Sequence, residues 1–414
     1  MHNTESSYED IPYFSKAYSQ SSPNNLATLG TLFGMSTTPI SESKILELGC
    51  SDGCNIIPHA INNPNSHYIG IDKSNKHIEH GMQHIKKLSL TNIKLLNASI
   101  LDIDKSYGKF DYIICHGVLS WVPEHIRKKI FKIFKNHLSK NGIAYVSYNT
   151  LPGWNMVRSV RDMMNYHTKE INDEKEKISQ SHAILNFVKD SISDQDSSYA
   201  KLINSELKIL NNTSNSYLRH DHLEDNNKSY YFHEFMACAN KEKLQYLSDA
   251  SISSMYLGNM NTKVINSLKD VKDIVKLEQY MDFIRNRRFR STLLCHDDIK
   301  LNRNVNSNDI SKFTLTCNVV RKYSEKSIDT DSDKKVKFYF NFNTDVYTET
   351  SNPILKSILS VMVESSGYPI TIDTISQRAS KCLKDQNPSD IKGFLNKEIM
   401  SWVFNNTSDT FKQL

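Results

Sequence analysis

Between residues 44 and 149, short apolar runs alternate with stretches whose apolar positions recur every three or four residues. The runs at 44–48, 67–72, 93–100, 110–117 and 142–149 predict buried strands. The stretches at 74–88 and 124–138 predict amphipathic helices. In the second of these, Ile126, Ile130, Phe131, Ile133 and Phe134 form the apolar face and Lys128, Lys129, Lys132 and Lys135 a solvated one. Repeated strand–helix units with right-handed crossovers give a doubly wound, mostly parallel α/β sheet, which binds ligands beyond the C-terminal ends of its strands.

Outside this span the pattern changes. Residues 8–22 are aromatic and irregular, and apolar residues at 26, 29, 32 and 33 then predict a short helix capped by Gly34. Tyr13 and Tyr18 can close over a ligand as a lid or simply pack on the domain surface. Residues 156–210 read as helical and polar, with a hinge at the Asn-rich stretch 211–215. Residues 217–300 are dense in aromatics and end in a basic knot, Arg287, Arg288 and Arg290. Residues 303–335 are polar. A strand at 337–342 and helices near 353–365 and 371–384 close the chain, separated by Gly367 and Pro369. The expected divisions are a leader at 1–40, a ligand-binding α/β domain at 41–170, a helical connector at 171–215, a helical substrate-docking domain at 216–302 and a C-terminal α+β domain at 303–414. The last is similar in pattern to a winged helix, and without a basic recognition face it suits protein interaction better than DNA binding.

At 414 residues, 38% hydrophobic and 23% charged, the chain has the composition of an ordinary folded protein of two to three domains. A net charge of +5 is mild for this length and is weak evidence for nucleic acid. The first ten residues lack the basic region and apolar core of a signal peptide, and no stretch reaches the roughly 18 apolar residues of a membrane helix. The seven cysteines include no C-x-x-C pair, which argues against zinc and for reduced thiols in a cytoplasm.

The chemistry concentrates where the first strand ends. Glu47-Leu-Gly49-Cys-Ser51-Asp-Gly53 reads as a strand, a tight turn and a helix start, with Gly49 permitting the turn and Gly53 close backbone approach. Asp72 ends the next strand, 19 residues after Gly53, where a carboxylate can accept both hydroxyls of a ribose. A dinucleotide site calls for a third glycine where Ser51 stands, and Glu47 would repel a pyrophosphate. Glu47 suits instead a cationic nucleoside without phosphates, and S-adenosylmethionine (AdoMet) is such a ligand. Ser99 and Ile100 end the third strand where an adenine edge would lie. His116, Tyr148 and Asn149 also fall at strand C-termini.

The sequence resembles the bacterial, rickettsial-type protein lysine methyltransferases. These are class I, Rossmann-like AdoMet-dependent enzymes with an added methyltransferase regulatory domain. The resemblance runs through Pro12-Tyr13, the 47–53 turn, Gly70-Ile-Asp72, Phe110–Pro123 (containing His116 and Trp121) and Tyr145–Trp154. It continues in Tyr231-Phe-His-Glu-Phe235, Gln245-Tyr-Leu247 and Gln279–Arg290, and is weakest in the C-terminal unit. It implies AdoMet as cofactor, held by Tyr13, Glu47, Gly49, Ser51, Gly53, Asp72, Ser99, Ile100 and His116. It also implies a lysine-bearing protein substrate, a surface or outer-membrane protein, and is compatible with a homodimer. No metal, nucleic acid or membrane insertion is expected.

Methyl transfer from a sulfonium to an amine is an in-line displacement, so catalysis is mostly orientation and exclusion of water. The amine must be neutral, although a free lysine titrates near roughly 10.4. Oxygen acceptors and aromatic faces suit the migrating cation. Tyr148, Asn149, Trp121 and His116, with Tyr217, His233 and Glu234 of the second domain, have the required chemistry. Trp121 and Trp154 serve equally as packing, and His233-Glu234 reads more simply as a satisfied polar pair. Two other readings keep the same turn: a small-molecule O- or N-methyltransferase, and a non-catalytic AdoMet-binding interaction protein.

Overall fold

The computed structural model describes residues 16–215, 218–316, 318–320, 330, 332–340, 343–383 and 386–404. Seven strands make one sheet: β1 (Lys44–Leu48), β2 (His67–Asp72), β3 (Ile93–Asn97), β4 (Phe110–Cys115), β5 (Leu138–Asn149), β6 (Leu244–Asp249) and β7 (Phe289–His296). Their order is β3-β2-β1-β4-β5-β7-β6. β1 through β5 pair in parallel, and β7 runs antiparallel to β5. The order reverses between β1 and β4, which opens a crevice at the C-terminal ends of those two strands.

The helices are α1 (Pro23–Leu32), α2 (Ile57–Asn62), α3 (Asn75–Lys87), α4 (Glu124–His137), α5 (Trp154–His167), α6 (Glu174–Ser191), α7 (Ser198–Asn211), α8 (Phe232–Lys241), α9 (Thr262–Leu268) and α10 (Ile274–Arg285). α4 buries Ile130, Phe131, Ile133 and Phe134 and leaves Lys128 and Lys132 in solvent, as its pattern predicts. Ile45, Leu46 and Leu48 of β1 are fully buried, because a central parallel strand is covered on both faces.

The 216–302 span differs from the helical reading. Its runs Leu244–Asp249 and Phe289–His296 enter the sheet as β6 and β7, since Leu244, Leu247, Leu293 and Leu294 are apolar enough to be buried completely. The basic knot is a set of ion pairs. Arg290, fully buried in β7, bonds Glu278 at 2.7 Å and Asp282 at 2.8 Å and lies 4.0 Å over the Phe232 ring. Arg288 pairs with Glu206 of α7. The 171–215 stretch also shares a core with what precedes and follows it: Val160 and Met164 of α5, Ile178 and Leu185 of α6, Ile203 and Leu207 of α7, and Leu218 and Leu223.

Residues 24–36, 248–270 and 300–404 gather into a second compact unit. It contains a short pair, β8 (Thr314–Leu315) with β12 (Ile370–Thr371), and a three-stranded antiparallel sheet of β9 (Val319–Val320), β10 (Val336–Phe340) and β11 (Asn343–Thr350). Helices α11 (Pro353–Glu364), α12 (Ile372–Ser380) and α13 (Pro388–Phe404) complete it. Asn25 Nδ2 donates to Ala250 O at 3.1 Å and Asn259 Nδ2 to Phe404 O at 2.6 Å. The expected 1–40 leader is therefore divided: of its described residues, 16–23 belong with the seven-stranded sheet and 24–36 with the second unit.

Candidate active site

The turn after β1 holds three left-handed residues, Gly49 (φ 71°), Ser51 (φ 51°) and Gly53 (φ 78°). The neighbouring strand fixes it in place. Gly49 N and Cys50 N both donate to Ile71 O at 2.9 Å, and Ser51 N donates to Asp72 Oδ2 at 2.8 Å. Asp72 Oδ1 accepts Ser74 N at 2.9 Å, at the start of α3. Asp72 thus shapes the turn itself. A carboxylate takes about four hydrogen bonds, so it retains acceptor sites for a ligand. Ser51, strained for a residue with a side chain, places Oγ 3.3 Å from His77 Nδ1.

Glu47 lies buried behind the turn. Asn55 Nδ2 donates to its Oε1 at 2.7 Å, and Asn55 Oδ1 accepts Tyr18 N at 3.0 Å and Ser21 Oγ at 3.2 Å. Residues 18–21 of the leader are therefore fastened to the turn through one asparagine. Burial pushes the Glu47 carboxyl up to about 8; the Asn55 bond opposes this, while Asp72 and Asp52 add to it. Glu47 Oε2 has no hydrogen-bond partner among the described residues.

His116 follows β4. Its Nδ1 stands 2.8 Å from the Tyr145 hydroxyl and 3.4 Å from Ser147 Oγ, and the Tyr18 ring covers it at a centroid distance of 3.7 Å. Burial, with a smaller effect from Lys16, lowers its pKa to about 4. Beside it, Gly117 N donates to Ser147 Oγ at 2.8 Å. Apart from Gly117 itself and its two chain neighbours, no described atom lies within 4 Å of where a Gly117 Cβ would stand.

Strand register sorts the remaining candidates. Tyr145, Ser147 and Asn149 share one face of β5, the His116 face; Val146 and Tyr148 share the other. Tyr148 is therefore corrected from a site residue to a core residue. Its ring stacks on Phe235 at 4.1 Å, and its hydroxyl bonds Thr292 Oγ1 at 3.0 Å. Asn149 remains on the site face, 2% exposed, its backbone N bonded to Ser120 Oγ at 2.9 Å and its Nδ2 without a partner among the described residues. Trp121 meets Trp154 edge-on at 6.1 Å, and Trp154 Nε1 donates to Asn227 Oδ1 at 2.9 Å, so Trp154 packs the 227 segment against this end of the sheet.

His233 and Glu234 are exposed in the first turn of α8. His233 Nδ1 lies 2.9 Å from Gln279 Oε1, and the Glu234 carboxylate caps the helix at Tyr231 N, 3.2 Å away. No described contact brings either to His116. Ser99 caps a short 3-10 turn, bonding Leu101 N at 3.2 Å, and Ile100 begins that turn. Tyr13 and Tyr217 lie outside the described residues. Sequence reasoning missed Asn55, Tyr145, Ser147 and Ser291. The period-two spacing of Tyr145, Ser147 and Asn149 was a usable signal, whereas Ser291 had none.

These residues fit AdoMet. The glycine turn and its flank carry Asp52 and Asp72, carboxylates that repel phosphates and suit a sulfonium nucleoside, with the buried, proton-retaining Glu47 carboxyl behind them. The unpartnered Glu47 oxygen and the open space at Gly117 leave a polar atom and room at the strand ends.

Comparison with known proteins agrees. The family described as "Methyltransferase domain" matches residues 40–244, and the methyltransferase regulatory domain family matches residues 214–296. Uncharacterized protein RP789 of Rickettsia prowazekii is 47% identical over 397 residues, which span 96% of this chain and 72% of the relative. RP028 of the same organism is 40% identical over 241 residues, 58% of this chain and 96% of that protein. PKMT2 from Rickettsia typhi, solved in complex with AdoHcy, superposes with a TM-score of 0.85 at 38% identity, covering 95% of this chain and 76% of that one. AdoMet is accordingly the cofactor. The chain belongs to the rickettsial-type family of class I AdoMet-dependent methyltransferases that carry a methyltransferase regulatory domain.

Proposed function

We propose that the protein methylates the side-chain nitrogen of lysines on a protein substrate, a bacterial surface or outer-membrane protein. The observation that carries this reading is the likeness to PKMT2, a name that abbreviates protein lysine methyltransferase, over 95% of the chain, regulatory part included. A small-molecule enzyme has no comparable need for the added surface.

The site residues suit the chemistry. AdoMet supplies an electrophilic methyl group, and Glu47, the 49–53 turn, Asp72 and the Ser99–Ile100 corner are the residues that would hold it. Burial keeps the His116 imidazole uncharged above about pH 5, so it accepts a hydrogen bond without adding positive charge beside a sulfonium. Desolvation at this end of the sheet lowers the lysine pKa in the same sense and favours the reactive free amine. The Asn149 carboxamide, buried and lacking a partner on Nδ2, is the second polar group available to the substrate. Tyr18, tied down through Asn55, shields His116 from water. The test is incubation with methyl-labelled AdoMet and purified surface proteins, followed by peptide mass spectrometry. Label on lysine supports the reading; label confined to small molecules refutes it.

A further inference from the structure

The His116 face of the sheet contains a chain of hydroxyls that the methyl-transfer reading does not use. Tyr145, fully buried, donates its hydroxyl proton to Ser291 Oγ at 3.0 Å while its oxygen stands 2.8 Å from His116 Nδ1. A phenol has one proton. With that proton directed to Ser291, the proton shared between Tyr145 and His116 belongs to the histidine. Ser147 Oγ, which accepts Gly117 N, stands farther from the same nitrogen, at 3.4 Å. An imidazole donates from one nitrogen and accepts at the other, so with the Tyr145 proton on Ser291 the 2.8 Å contact is a donation from Nδ1.

We infer that Tyr145 and Ser291 are positioning residues that hold His116 in the Nδ1–H tautomer, leaving Nε2 as the bare acceptor for an N–H of the substrate amine. Ser291 pairs with Ser147 across β5 and β7 and lies within the 214–296 regulatory-domain match. The regulatory domain therefore reaches the histidine through a single hydroxyl. The charged and titratable groups around the ring are Lys16 and Tyr18 from the leader and Tyr145 from β5. Burial keeps the imidazole neutral over the working range, so a tautomer is what these hydroxyls can select. The role given to Nε2 rests on the proposed lysine methylation; the tautomer does not.

The experiment is nitrogen-detected NMR on the full chain labelled with 15N-histidine, with His116 assigned by its loss in His116→Gln. The wild type is expected to show a protonated Nδ1 and a bare Nε2. Ser291→Ala frees the Tyr145 proton to turn toward Nδ1, so the Nε2–H form should grow. Turnover should fall by about tenfold, the equivalent of one misplaced hydrogen bond, with AdoMet affinity unchanged. Tyr145→Phe removes the buried hydroxyl altogether, and Ser291→Ala serves as the milder variant if that protein does not fold. Ser291→Thr, which retains a hydroxyl, should restore the wild-type tautomer. A wild-type His116 protonated on Nε2, or a tautomer unmoved in Ser291→Ala, overturns the inference. Failure of the lysine reading would show separately, as no methyl transfer to protein by the wild type.

Discussion

Gly49→Ala is a one-carbon test of the cofactor turn. Gly49 has φ 71°, and a left-handed conformation costs a residue with a Cβ roughly 1–2 kcal/mol. The added Cβ would also stand 2.6 Å from Val118 Cγ2, far inside ordinary contact. Relieving such overpacking typically costs about 1–3 kcal/mol. The two costs arise independently, so Gly49→Ala should lose roughly 2–5 kcal/mol, shared between folding stability and AdoMet binding. Val118 follows His116 and Gly117, so the movement that relieves the clash displaces the loop carrying His116. Denaturant unfolding and AdoMet titration calorimetry divide the loss. Adding Val118→Ala removes the clashing methyl group but leaves the φ penalty, so the double variant should recover about 1–3 kcal/mol and no more. A Gly49→Ala protein that unfolds and binds AdoMet like the wild type would refute the reasoning. So would a double variant no better than the single one.

Asp72→Ala should weaken AdoMet binding by at least tenfold, about 1.4 kcal/mol, and should also lower stability, since the carboxylate holds Ser51 N and Ser74 N as well; calorimetry and thermal melting of the same variant check both. Glu47 has its carboxyl raised to about 8 in the fold against an ordinary value of 4.5. The folded state thus holds this proton more tightly than the unfolded chain, its contribution is fully present below about pH 4.5, and it is lost as pH rises toward about 8. Glu47→Gln keeps the Asn55 bond without the titration, so unfolding measured from pH 5 to 8 should be flatter than in the wild type; equal slopes would refute the assignment. Arg290→Ala should destabilise by about 3–5 kcal/mol, because it removes the buried cation that Glu278 and Asp282 share. A loss under 1 kcal/mol in denaturant unfolding would contradict that account.

The first five strands and the cofactor turn were legible because their signals are local: apolar runs, glycines at a strand end, and one carboxylate at the next. The two outer strands were not. Leu244–Asp249 and Phe289–His296 sit among aromatics and arginines that read as a helical docking domain. Only the pairing of β7 with β5 reveals that Arg290 is a buried partner of Glu278 and Asp282. A cut at residues 211–215, natural from the sequence, would therefore strip two strands from the sheet and leave β5 as an exposed edge. Tyr148 was misread for a related reason. Its place at a strand C-terminus is correct, but the period of two sends it to the face opposite Tyr145, against Phe235. Asn55 carries no motif; its role exists only because the leader returns to it through Tyr18 and Ser21.

The measurement that tests the central claim most directly is intact-protein and peptide mass spectrometry of a bacterial surface protein incubated with the enzyme and methyl-labelled AdoMet. Lysine side chains carrying the labelled methyl group, absent when Asp72→Ala enzyme is used, are the predicted result. Wild-type enzyme that binds AdoMet yet leaves every lysine unlabelled would contradict the account.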